Sequence, residues 1–119
     1  MQMASNTGLR RLKMHKMNLK EFMNYDIIKD PPKDHYFNLQ HVAVSSYLAR
    51  RINKEWRTLN TSLPDSTFVR VFETRIELMR VVIAGPGNTL YQFGLSFFDI
   101  NFTSVYPDLT PRVVYYLGT

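Results

Sequence analysis

The 119-residue sequence predicts an α+β fold, an N-terminal helix followed by a four-stranded antiparallel meander. Three observations carry that expectation. Apolar residues recur at helical spacing between 46 and 60, β-branched and aromatic runs take over after Pro64, and short connections separate those runs.

Residues 1–24 read as a basic flexible arm. Arg10, Arg11, Lys13, Lys16 and Lys20 lie in the first 20 residues with no acid among them, and they account for the whole net charge of +5. The rest of the chain is balanced, so a general nucleic-acid-binding surface is a poor reading of the basic total. Leu9, Leu12 and Leu19 are only weakly periodic, which leaves a transit peptide as a minor alternative. Residues 25–45 read as a linker, because Pro31-Pro32 forbids helix and the Asp and Lys around it favour turns.

From 46 the pattern becomes helical. Leu48, Ile52, Trp56 and Leu59 form one apolar stripe, Ser45 or Ser46 supplies the N-cap, and Pro64 closes the segment that follows. Arg50, Arg51, Lys54 and Arg57 lie off the stripe, giving a basic outer face that composition alone reads as solvated. Strands are expected at 67–73, 78–85, 94–102 and 112–117, with a turn at "GPGN" (85–88). In the third strand Phe98, Ile100 and Phe102 alternate with Asp99 and Asn101, which predicts a wet side carrying the two polar residues. The core domain is thus expected over 46–119.

Few chemistries survive inspection. There is no cysteine, which excludes disulfides, cysteine zinc sites and thiol nucleophiles for this chain. His15, His35 and His41 show no ligand spacing, so neither a metal site nor a cofactor is expected. No serine sits in a nucleophile elbow, and "GPGN" lacks the Lys-Ser/Thr of a phosphate loop. No apolar run reaches the ~20 residues that span a bilayer.

The stretch "GPGNTLYQFGLSFFDINFTSVYPDLTP" resembles the opening of the ubiquitin-conjugating core domain. The matching positions are Gly85, Pro86, Thr89, Tyr91, Gly94, Phe98, Phe102, Tyr106, Pro107 and Pro111. The helix "SYLARRINKEWRTLNTSLP" is similar to that family's first helix. "LPDSTFVRVFETRIELMRVVIAGP" is similar to the large plant enzymes of the phosphate-response type and to hybrid conjugating-and-ligating enzymes. The resemblance covers about residues 25–117.

It implies docking of a ubiquitin-activating enzyme and of ubiquitin ligases on the first helix and the Tyr-Pro loop. Arg50, Arg51, Lys54, Arg57, Tyr106, Pro107, Asp108 and Leu109 are the corresponding candidates, in an intracellular protein. The family's catalytic cysteine, which follows the fourth strand, has no counterpart, so the expectation is a truncated fragment unable to form the ubiquitin thioester, with no catalytic residue to name. Alternatives are a non-catalytic variant that binds the same partners, and an unrelated module whose basic arm contacts nucleic acid or membrane. Thr103 and Thr110 stand where the family has prolines, and Leu90, Gln92 and Phe93 also depart from it, which predicts looser loops. With no later helices, Phe98, Ile100 and Phe102 are expected to be poorly covered.

Overall fold

A computed structural model describes residues 2–4, 23–85 and 94–117. Its elements in chain order are β1 (Gln2–Ala4), β2 (Tyr25–Ile28), α1 (Ser46–Ser62), β3 (Thr67–Phe72), β4 (Leu78–Ala84), β5 (Leu95–Asn101) and β6 (Arg112–Leu117). β3 to β6 form the expected antiparallel meander, but they sit inside a six-stranded sheet of order β1-β6-β5-β4-β3-β2. The two outer strands correct the strand count and the purely antiparallel description, since β1 pairs parallel with β6 and β2 parallel with β3.

α1 forms where the apolar stripe predicts it. The Ser45 hydroxyl caps it by accepting from Leu48 N–H at 3.1 Å, and Leu63, just before Pro64, has left helical geometry. Leu48 and Ile52 are fully buried against Val69, Val71, Met79 and Phe102 on one face of the sheet, with Trp56 and Leu59 packed alongside. Phe98 and Ile100 on that face are half-buried and Phe102 is buried, so the apolar face is better covered than expected.

The opposite face is also a core. Phe68, Phe72, Leu78, Val82, Leu95, Phe97, Val114 and Tyr116 line it, and Phe37 packs onto them. Residues 25–45, expected as a linker, therefore belong to the fold. Tyr25–Ile28 is a strand, successive turns run from Pro32 to Gln40, and His35 and Phe37 are 3% exposed. Arg75 holds the segment by donating to the carbonyls of Asn38 at 2.9 Å and Gln40 at 2.5 Å.

Gly94 enters β5 with φ of 68°, a conformation that favours glycine because it has no Cβ to clash. Pro86, Thr89 and Tyr91, with the departures at 90, 92 and 93, lie outside the described residues, as does most of the expected 1–24 arm.

Candidate functional site

The predicted docking residues fall into two stripes of α1. Arg50, Lys54 and Arg57, spaced four and three apart, make an exposed basic stripe. Arg51 and Glu55 sit on a neighbouring, half-buried stripe that faces the loop between β5 and β6. There Tyr106 O–H donates to Glu55 Oε2, and the Tyr106 ring stands edge-on to Phe102 at 4.8 Å. Burial, then the bond to Glu55 and its charge, push the Tyr106 phenol above its ordinary range, while the nearby Arg51 guanidinium opposes the shift. Arg51 Nε is itself buried without a hydrogen-bond partner among the described residues.

The loop is ordered from within. Tyr106 N–H donates to Thr103 C=O at 3.1 Å, Asp108 N–H to Val105 C=O at 2.9 Å, and Thr103 Oγ1 to Leu109 C=O at 3.3 Å. Thr103, expected to loosen the loop where the family has proline, thus supplies a bond that proline could not. The Tyr106–Pro107 peptide is cis. Pro107, Asp108 and Leu109 project to solvent, Leu109 at 59% exposure. The structure therefore brings Tyr106 together with Glu55 beside Arg51, while Arg57 lies about 9 Å along the helix from Arg51, at 1.5 Å per residue.

Glu55 was not among the sequence candidates. Its only local signal is that it is the sole acid in the helix, one turn after Arg51. Its partner lies 51 residues away.

A second cluster was also missed. Asp99 and Asn101, expected on a wet strand face, are both 0% exposed. The alternation of β5 is as predicted; the assignment of its wet side is not, because Leu95 and Phe97 share the face of Asp99 and segment 34–37 covers it. Arg80 grips Asp99 through two hydrogen bonds, Nε to Oδ1 at 2.7 Å and Nη2 to Oδ2 at 2.9 Å. Tyr116 O–H and the Tyr36 N–H also donate to Asp99 Oδ2. Asp34 lies 3.6 Å from Arg80 Nη1.

His35 Nε2 meets the Met79 carbonyl at 2.9 Å, and its Nδ1 accepts from Phe37 N–H at 3.2 Å, an arrangement that requires the neutral Nε2–H tautomer. Burial pulls the His35 pKa down against the raising effect of Asp99. Burial would raise the Asp99 carboxyl, yet the bonded Arg80 outweighs it and holds Asp99 below its ordinary value. The bonds of Arg80 and Tyr36 to Asp99, and of His35 to Met79, clamp the 34–37 segment onto the sheet. Among the described residues no cluster of His, Cys, Asp or Glu could hold a metal ion.

A sheet with one helix packed on it, and a Tyr-Pro loop folded back onto that helix, is an α+β arrangement in line with part of a ubiquitin-conjugating fold. No family model matches the chain. Individual proteins do. The chain is 34% identical to ubiquitin-conjugating enzyme E2 39 of Arabidopsis thaliana, over 98% of its own length and 40% of that protein's. It is 42% identical to E2 25 of the same plant, over 82% and 16% respectively. It is also 44% identical to the human dual E2 ubiquitin-conjugating enzyme/E3 ubiquitin-protein ligase BIRC6, over 60% of the chain and 2% of that protein. The chain is therefore a relative of the ubiquitin-conjugating enzymes, and it spans less than half the length of the curated relatives it matches.

Proposed function

We propose that this chain is a docking half of a ubiquitin-conjugating domain, engaging a ubiquitin-activating enzyme or a ubiquitin ligase without itself carrying ubiquitin. The observation that carries the reading is the Tyr106–Glu55 bond, which joins the loop to α1 so that Arg50, Lys54, Pro107, Asp108 and Leu109 can be met by one partner. The exposed cations would steer an acidic partner, and the half-apolar loop tip would be buried on contact. Ubiquitin transfer by the family runs through a thiolate, and these 119 residues contain no cysteine. A serine or threonine hydroxyl is a far weaker nucleophile without an activating base, so thioester chemistry would need a cysteine from outside this sequence.

The test is a pull-down of activating enzyme and ligases on the immobilised chain, beside a charging assay with activating enzyme, ubiquitin and ATP. Binding is expected to weaken with added salt, with Arg50→Glu/Lys54→Glu, and with Leu109→Ala, and no reducible ubiquitin adduct is expected. A reducible adduct, or capture that ignores both sets of substitutions, would overturn the reading.

A further inference from the structure

We propose that the groove between β2 and the C-terminal half of α1 docks an extended peptide from another protein, which adds a strand to β2 and presents an apolar side chain flanked by acidic ones. β2 is an outermost strand of the sheet. Its inner side is used: the carbonyls of Asn24 and Ile28 accept from Val69 N–H at 2.6 Å and Glu73 N–H at 2.9 Å. The two-residue alternation of a strand then turns the backbone of Tyr25 and Ile27 outward. Ile27 N–H is spent on Asp26 Oδ1 at 2.9 Å, so that among the described residues the N–H of Tyr25 and the carbonyls of Tyr25 and Ile27 stay along the edge.

Protected edges carry proline, lysine or a bulge, or lie under another element. "YDII" has neither proline nor lysine, and Ile27 and Ile28 are 45% and 37% exposed. Beside this edge runs a groove of about 260 Å³ lined by Tyr25, Ile27, Asn53, Trp56, Arg57 and Asn60. Past Tyr25 and Asn60 it meets a second hollow of about 280 Å³ that ends at Leu63. From Asn53 to Leu63 the helix rises about 15 Å, the span of four to five extended residues. Strand addition with a side pocket for alternate residues is a recognised mode of peptide capture.

The lining fixes the chemistry of the occupant. Tyr25, Ile27 and Trp56 offer an apolar seat, and among the described residues no acidic one lines either hollow. Arg57 stands exposed on the rim, continuing the stripe of Arg50 and Lys54. Trp56 Nε1–H and Tyr25 O–H lie buried within the walls without a hydrogen-bond partner among the described residues. A second copy of the chain is a poor occupant, because each carries a net charge of +5.

The probe is a fluorescein-labelled heptapeptide, Glu-Val-Glu-Val-Glu-Val-Glu, titrated into the full chain by polarisation and by amide NMR. Saturable binding is expected, with shifts at the amides of Tyr25 and Ile27 and at the indole N–H of Trp56, the sole tryptophan. A version with lysine for glutamate should not bind. Ile27→Glu should weaken binding about tenfold, as loss of a central apolar anchor does. Arg57→Glu should weaken it about fivefold and flatten its salt dependence. Both positions are exposed, so unchanged melting curves will separate lost binding from lost folding. Ile27→Glu should leave capture of activating enzyme intact, which keeps this test apart from that of the α1 and loop surface. Absence of saturation, shifts confined to other elements, indifference to Ile27→Glu, or self-association abolished by Ile27→Glu would each overturn the proposal.

Discussion

Arg80 on β4 and Asp99 on β5 face each other in register across the sheet, joined by two parallel hydrogen bonds among the apolar side chains of one face. The pair belongs to a row that crosses the sheet: Asp26 opposes Arg70, Arg70 opposes Arg80, and Arg80 opposes Asp99. The two adjacent arginines would repel one another if the row ended there. Acids at both ends make it tolerable, and Asp99 is the one at the buried end.

Removing one partner of this pair should cost far more than removing both. Arg80→Met leaves the Asp99 charge buried with only Tyr36 N–H and Tyr116 O–H as strong donors, and a loss of roughly 3–5 kcal/mol is expected. Arg80→Met with Asp99→Leu should recover most of that loss, because the fully buried carboxylate goes together with its guanidinium. Urea denaturation midpoints of the wild type, both single variants and the double variant check this. Equal destabilisation by the single and double variants would contradict it.

The pH dependence follows from His35 and Asp99. Burial lowers the folded pKa of His35, so below about pH 6.5 the unfolded chain binds a proton that folded His35 refuses. Its contribution to stability is present above that pH and lost as pH falls towards the folded value. The folded pKa of Asp99 is lowered by Arg80 against burial, so its contribution is present above about pH 3.9 and lost on further acidification. Stability measured by denaturant titration should therefore fall in two stages on acidification. His35→Gln should abolish the upper stage and leave the lower one.

Asn101 offers a test with the opposite sign. Its side chain is fully buried, yet neither its oxygen nor its nitrogen has a hydrogen-bond partner among the described residues. It sits in register between Leu78 and Arg112, next to the apolar face. Asn101→Leu, of nearly the same shape, should raise stability by about 1 kcal/mol, because an unsatisfied amide is replaced by apolar contact. Thermal and denaturant unfolding check the direction.

These tests dwell on what was least legible in the sequence. α1 could be read because Leu48, Ile52, Trp56 and Leu59 obey one helical period and Ser45 caps it. β3 to β6 could be read because their β-branched and aromatic runs are long enough to speak locally. β2 could not, since four residues just ahead of Pro31-Pro32 have no period of their own and become a strand only by pairing with β3. Asp99 shows the same limit. Alternation gave its face correctly, but whether that face was wet depended on Arg80, contributed by the neighbouring strand. In the docking surface, the exposed arginines and lysine follow from the helix alone, whereas the union of Glu55 with Tyr106 depends on how the loop returns to it.

That union can be measured as a coupling. Tyr106→Phe removes the hydroxyl that Glu55 accepts from, and Glu55→Gln weakens the acceptor by removing its charge. Because both side chains are half-buried, each change should cost about 1 kcal/mol. The double variant should cost clearly less than the two losses together, since the second change has no intact bond left to break. The Phe102–Tyr106 ring contact survives Tyr106→Phe, so the cycle isolates the hydrogen bond from the packing. Amide exchange in the 103–110 loop should quicken in either variant while exchange in β4 stays unchanged, because the bond ties the loop to α1 and not to the sheet. Strict additivity in the cycle, or an unaltered loop, would mean that the loop is held by its internal turn bonds alone.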